Sequence, residues 1–175
     1  MAVLMAIAAP DSACATPLPY GRMATEIERK FLVRDRTFLS GSTGIPYRQG
    51  YLSTDPDRTV RVRRAGKRSY LTIKGRSEGP VRSEFEYEIP TADAEQLLEL
   101  CQGGIIEKDR HWIEHAGRTW EVDVFAGDNA GLVIAEVELP AADAPLEIPA
   151  WAGEEVTADA RYFNASLVHR PFRSW

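Results

Sequence analysis

The sequence predicts a mainly β, α+β domain built on an antiparallel sheet or barrel. Three observations carry this. Apolar and polar residues alternate with period two from Glu26 to Leu139, Gly, Asp or Pro separates most of the alternating runs, and only two segments switch to helical spacing. The chain has 175 residues, 44% of them hydrophobic and 27% charged, a profile that fits one globular domain and excludes disordered, collagenous and coiled-coil classes.

In order, the first 22 residues stand apart: Met1 to Gly21 holds no Lys or Arg and includes a short apolar stretch, Val3 to Ala9. A secretory signal wants a basic region ahead of its apolar segment, and none is present, so the segment reads as a flexible extension before a domain over 23–170. Strand-like runs follow at Glu26–Val33, Tyr47–Ser53, Arg58–Ala65, Arg68–Arg76, Val81–Ile89, Ile105–His115, Arg118–Phe125 and Leu132–Leu139. Thr91–Cys101 sets Ala94, Leu97, Leu98 and Cys101 at helical spacing behind a Thr cap, and Thr157–Val168 repeats the scheme with Ala160, Phe163 and Leu167. Gly103-Gly104 reads as a helix stop, Pro140–Pro149 as a loop, and residues 171–175 as a tail. The tryptophans Trp112, Trp120, Trp151 and Trp175 read as packing residues, with Trp151 a candidate for the edge of a site.

Composition narrows function. No apolar run approaches the roughly 18 residues a membrane helix needs. A net charge of −5 argues against a non-specific nucleic-acid surface. Two cysteines, Cys14 and Cys101, allow neither a disulfide framework nor a Cys-rich zinc site, and this usage fits a reducing cytoplasm. Neither a P-loop nor a dinucleotide fingerprint occurs. His111-Trp112-Ile113-Glu114-His115 fits the inverted zinc-protease pattern, but that pattern needs a helix; on a strand the two imidazoles lie roughly 13 Å apart and cannot share one zinc.

The chemistry lies in strand parity. Glu26, Glu28 and Lys30 share one face; so do Arg61 and Arg63, Lys74 and Arg76, Glu84, Glu86 and Glu88, Glu121 and Asp123, and Glu136 and Glu138, each of these sets opposite apolar residues, and Lys108 and Arg110 also share one face. An ordinary sheet wets its polar face. Like-charge neighbours about 6 to 7 Å apart, however, repel by about 2 to 3 kcal/mol at an effective dielectric near 20, and a solvent face gains nothing from that. Faces converging inside a barrel would let carboxylates gather a divalent cation while Arg and Lys grip an anion. Parity does not distinguish inside from outside. An anion that needs both is most economically a polyphosphate, with Arg61, Arg63 and Arg110 able to bind phosphate oxygens in pairs, and metal-assisted phosphoryl transfer follows as the reaction class.

Glu26-Ile27-Glu28-Arg29-Lys30 resembles the Glu-x-Glu-x-Lys signature that opens the CYTH domain, the triphosphate tunnel metalloenzyme family named for a class IV adenylyl cyclase and thiamine triphosphatase. The likeness continues through Arg48-Gln49-Gly50-Tyr51-Leu52, Arg61-Val62-Arg63, Thr72-Ile73-Lys74, Glu84-Phe85-Glu86, Glu107-Lys108-Asp109-Arg110, Glu121-Val122-Asp123 and Glu136-Val137-Glu138, over Thr25 to about Leu167. The resemblance implies an eight-stranded antiparallel closed barrel, a triphosphate tunnel whose charged faces point inward. It implies Mg²⁺ or Mn²⁺ held by Glu26, Glu28, Asp123, Glu136 and Glu138, with Glu84, Glu86 and Glu121 lining the same acidic half. Phosphates would be held by Lys30, Arg61, Arg63, Lys74, Lys108 and Arg110, with Tyr51 near the tunnel mouth and the last helix plugging one end. Glu28 and one lysine, Lys30 or Lys108, are the catalytic candidates. The partner implied is a small anionic triphosphate, not nucleic acid or membrane, and a homodimer is compatible. The expected reaction is metal-dependent hydrolysis of inorganic tripolyphosphate, the preference of the compact bacterial branch that the opening and Arg48–Leu52 resemble; a class IV-type cyclase, a thiamine triphosphatase and a non-catalytic polyphosphate binder are the alternatives.

Overall fold

A computed structural model describes residues 24–25, 27–78 and 81–175. The 1–22 extension, and Glu26 with it, lie outside the described residues. Ten strands form one antiparallel sheet: β1 (Ala24–Thr25), β2 (Ile27–Val33), β3 (Ile45–Ser53), β4 (Arg58–Ala65), β5 (Arg68–Glu78), β6 (Val81–Ile89), β7 (Gln102–His115), β8 (Arg118–Phe125), β9 (Val133–Leu139) and β10 (Ala152–Glu155). The order is β1-β6-β5-β4-β3-β7-β8-β9-β2-β10. Each run read from alternation contains a strand among its described residues, β9 starting one residue late at Val133, and β1 and β10 add short pieces at the ends of the order.

The sheet curls until its ends meet. β1 pairs with β6 (Ala24↔Arg82, Thr25↔Val81), while β2, one residue further on, pairs with β9 from Ile27↔Leu139 to Leu32↔Ile134. The first segment thus touches both ends of the order. Closure rests on this two-residue β1, since among the described residues β2 and β6 share no ladder; the fully closed barrel expected from the resemblance is joined at one corner only.

Outside the sheet the apolar parity is buried in two places. Phe31, Trp120, Val122, Val133, Ala135, Val137 and Ala152 form a core over β2, β8 and β9, covered by Phe38 and Leu39 of the β2–β3 connection and by Trp151. Trp151 stacks on Phe38 with ring centroids 4.3 Å apart and meets Trp120 edge-on, so it packs the core and does not edge the site. Helix α1 (Thr91–Glu99) lays Ala94 and Leu98 over Val62. Its N-cap is Pro90, and Thr91 is the first helical residue with its hydroxyl turned to the Lys67 carbonyl, so the expected Thr cap is not made.

A third cluster lies inside the curl. Tyr51, Ile106, Phe125, Leu132 and Ile134 meet Leu167 and Val168 of the C-terminal segment, with Leu32 against them. The C-terminal segment is not the single helix that spacing predicts. A 3₁₀ turn at Ala160–Tyr162, begun by the Asp159 carboxylate accepting from the Arg161 N–H, gives way at Phe163 to extended backbone (ψ 135°), and only then does α2 (Asn164–Leu167) form. The Asp159 turn therefore outcompetes helix continuation. Gly103 and Gly104, expected to stop α1, lie inside β7: a Cβ on Gly103 would come within 2.7 Å of the Val168 carbonyl, and Gly103 adopts φ +75°, so this glycine admits the plugging segment. The last five residues, read as a tail, pack back onto the domain: Phe172 donates its N–H to Asn129 Oδ1 at 2.8 Å, and Trp175 packs edge-on against Tyr162 and Phe172. No described helix is long and apolar enough to cross a membrane.

Candidate functional site

The charged parity faces inward. A cavity of about 610 Å³ opens inside the sheet, and Lys30, Arg61, Arg63, Lys74, Lys108 and Arg110 all line it, facing Glu28, Glu84, Glu86, Glu121, Glu136 and Glu138. The ladder explains the convergence. Lys30 stands opposite Glu136, Glu136 opposite Glu121, Gln49 opposite Arg63, Arg61 opposite Thr72 and Thr72 opposite Glu86, and directly paired residues on neighbouring strands point the same way.

The wall is drawn together by ion pairs. Lys30 Nζ lies 2.7 Å from Glu28 Oε1 and 2.6 Å from Glu136 Oε1. Burial opposes its charge, yet Glu136 and Glu28 outweigh it and hold the ammonium above its ordinary range. Arg110 forks onto Asp123, Nε to Oδ1 and Nη2 to Oδ2 at 2.7 Å each, and also pairs with Glu121 and, at 3.3 Å, with Glu136. On the far side Arg63 pairs with Glu86 at 3.0 Å, Lys74 with Glu84 at 2.8 Å, and Thr72 Oγ1 donates to Glu86 at 2.7 Å.

The cavity is deepest at Lys108, whose side chain is 1% exposed and whose Nζ lies 2.5 Å from Asp123 Oδ2 and 5.3 Å above the Phe125 ring. Burial lowers the Lys108 ammonium below its usual range despite Asp123. Asp123 is driven the other way: Lys108 and Arg110 overcome its own desolvation and hold it below the usual carboxylate range. Glu136 is likewise held low, by Lys30 first among its partners. The two lysines therefore differ. Lys30 is a fixed cation, and Lys108 gives up its proton more easily.

Among the described residues, two sequence-predicted ones are not on the cavity wall. Tyr51 is 5% exposed within the apolar plug, where bulges on either side of it in β3 accompany its departure from the charged surface. Asp123 lies behind the wall with its oxygens taken by Lys108 and Arg110. Conversely, Tyr47, Gln49, Arg118, Thr119 and Asn164 line the cavity without being site candidates in the sequence reading, and Trp112, read as a packing residue, lines it too. Tyr47 sits between the guanidiniums of Arg63 and Arg110, at 5.8 and 5.3 Å, and burial pushes its phenol up. Its parity with Gln49, and that of Trp112 with Lys108 and Arg110, was the available signal. His111 and His115 lie on β7 as a strand, His111 turned to Ser42 Oγ at 3.0 Å and His115 to Glu147 at 3.6 Å, so the zinc-protease geometry is not formed.

Glu28 stands directly opposite Glu138, beside the Lys30–Glu136 pair. These carboxylates supply the hard oxygen donors that suit Mg²⁺ or Mn²⁺. The oxygens of Glu28 and Glu136 are turned toward Lys30 and Arg110, and among the described residues no three acidic, His or Cys side chains are preassembled around a cation.

Fold and site together define a class: an antiparallel β-tunnel protein with a cation-rich, carboxylate-opposed interior, stopped at one end by an apolar plug. The chain belongs to the CYTH domain family, whose sequence model matches residues 24–172. It is similar to an inorganic triphosphatase of Acetivibrio thermocellus, 49% identical over 154 residues that cover 87% of this chain and 99% of that protein. It is also similar to an inorganic triphosphatase of Nitrosomonas europaea, 42% identical over 149 residues covering 82% and 96%. The crystal structure of an inorganic triphosphatase superposes with a TM-score of 0.62 at 38% identity, covering 85% of this chain and 97% of that one.

Proposed function

We propose that this protein hydrolyses the terminal phosphoryl group of a triphosphate, with inorganic tripolyphosphate as substrate and Mg²⁺ or Mn²⁺ as cofactor. The observation that carries this is the convergence of Lys30, Arg61, Arg63, Lys74, Lys108 and Arg110 on one cavity, more positive charge than any small neutral or singly charged ligand would use. The triphosphatase names of the relatives support the same choice.

Arg61, Arg63 and Arg110 would bind and orient phosphate oxygens through paired N–H groups, with Lys30 and Lys74 adding point charges. The same guanidiniums, fixed before substrate arrives, stabilise charge that develops as the terminal phosphoryl group departs. Glu28, Glu136 and Glu138 would hold the divalent cation, which on binding supplies charge neutralisation and a more acidic water. Glu26 belongs to the same proposal but lies outside the described residues. Asp123 acts through Lys108 and Arg110 as their counter-ion. Lys108 Nζ is the better proton donor to the leaving phosphate, because burial loosens its proton while Lys30 is held charged. The apolar plug excludes water from the inner end.

The test is product analysis of purified protein with tripolyphosphate, ATP and thiamine triphosphate in parallel, with Mg²⁺ or Mn²⁺ and with EDTA controls. Metal-dependent phosphate release, fastest from tripolyphosphate, is expected. Cyclic AMP and pyrophosphate from ATP would replace hydrolysis with cyclisation, and binding without turnover would leave a polyphosphate-binding module.

A further inference from the structure

Gln49 has no part in the chemistry above, yet its position is unusual. It lies on β3 where the charged lining of the cavity gives way to the plug: Arg63 stands opposite it on β4 and Ile106 opposite it on β7. Its side chain lines the cavity, the residue is 2% exposed, and Nε2 has no hydrogen-bond partner among the described residues. A buried amide donor left without an acceptor costs about 1 to 3 kcal/mol. At this depth the neighbouring positions are met by apolar residues, Ile106, Phe125 and Ile134, none of which carries that cost.

We propose that Gln49 is a substrate-binding residue whose Nε2–H donates to an oxygen at the innermost end of the bound phosphate chain. Its chemistry suits the place. The surrounding cations already crowd one another: Arg63 is opposed by its own burial and by the neighbouring Arg61. A further Lys or Arg at position 49 would add repulsion and a larger desolvation cost, whereas a neutral amide offers an N–H to an anionic oxygen without charge. The wall is held in by pairs such as Lys108–Asp123 and Arg63–Glu86. A polyanion entering between them competes for those cations and supplies the acceptor that Gln49 lacks.

This rests on the triphosphatase reading, so the test separates the two. Gln49→Met removes the donor at nearly constant volume, and Gln49→Glu places a carboxylate there. Tripolyphosphate binding is measured by calorimetry in EDTA, KM and kcat with Mg²⁺ or Mn²⁺, and the melting temperature without ligand. A hydrogen bond to a charged acceptor predicts that Gln49→Met weakens binding and raises KM by about tenfold or more, with kcat changing less. Gln49→Glu is expected to weaken binding further. The ligand-free melting temperature of Gln49→Met should match or exceed that of the parent, because an orphaned polar group has been removed. Unchanged binding and KM in Gln49→Met would overturn the assignment. A lower melting temperature with an activity loss in proportion would place Gln49 in packing and overturn it equally. A parent that binds tripolyphosphate without hydrolysing it would refute the hydrolase reading alone, and the binding comparison would still decide Gln49.

Discussion

Asp123 and Lys108 form the deepest ion pair in the cavity, and removing either partner should give very different results. Asp123 receives three short bonds, one from Lys108 at 2.5 Å and two from Arg110 at 2.7 Å. Lys108→Met leaves Asp123 with its two-pronged Arg110 partner and removes an ammonium that burial already disfavours, so stability should change by no more than about 1 kcal/mol. Asp123→Asn instead strands Lys108, whose side chain is 1% exposed and for which Asp123 is the ion-pair partner. Stripping one partner from a buried pair costs about 3 to 5 kcal/mol. An independent ceiling agrees: discharging a lysine of ordinary pKa at pH 7 costs about 5 kcal/mol. For a domain of this size that corresponds to a melting temperature lower by about 6 to 20 °C. The sign with pH follows. In the variant the unfolded chain binds a proton at Lys108 that the folded protein resists, so the deficit is fully present at neutral pH and shrinks as pH rises toward the ordinary lysine range. Urea unfolding of parent and both variants at pH 7 and pH 10 provides the measurement. Equal losses for Lys108→Met and Asp123→Asn, or an Asp123→Asn deficit that does not shrink at pH 10, would refute this account of the cavity floor.

Arg61→Ala and Arg63→Ala remove cations from the wall whose partner, Glu86, is one-third exposed; kcat/KM for tripolyphosphate should fall about 100-fold or more in steady-state assays, while urea stability changes by about 1 kcal/mol or less. Tyr51→Ala opens a hole in the apolar plug and should cost about 3 kcal/mol or more in unfolding, a larger effect on stability than that of either arginine variant. Trp112, 38% exposed on the cavity wall with its Nε1 donating to Glu121, should report ligand: tripolyphosphate is expected to alter tryptophan emission in the parent and not in Trp112→Phe, since Trp120 is fully buried in the outer core.

Strand parity made the cavity legible because a period of two is local: it fixes which residues share a face without knowledge of what lies opposite. The strands β4, β6 and β8 begin and end where alternation says they should, and each of the six cations assigned to phosphate binding lines the cavity, while Arg76, of the same parity as Lys74, turns outward to Asp57. Parity carries a sign ambiguity, however, and the family resemblance rather than periodicity supplied the inward direction. The apolar face of β6 shows why periodicity alone is insufficient. Phe85 and Tyr87 oppose its glutamates as a core face should, yet they are 42% and 49% exposed: α1 packs over β3, β4 and β5, and the cluster beneath it takes in Ile89 of β6 but neither of these two rings.

What parity could not reveal is depth. Residues of one parity share a wall, but how far along the tunnel each sits depends on stagger between strands and on the segment returning from the C-terminus. Tyr51 shares its strand with Tyr47 and Gln49, and yet it is sealed against Leu167 and Val168 while they face the cavity. The same return path explains the missed helix, since Phe163 must be extended for α2 to bring Leu167 inward and set Asn164 on the cavity wall. Depth also separates residues that look equivalent in sequence. Lys30 and Lys108 each stand among acidic residues on a charged face, but Lys30 is met by two carboxylates at 2.6 and 2.7 Å, and Lys108 by one, at the bottom, against an aromatic ring. The plug thus does more than close one end: Phe125, one of its residues, lies against Lys108, and burial there holds that ammonium below its usual range while Lys30 is held above its own.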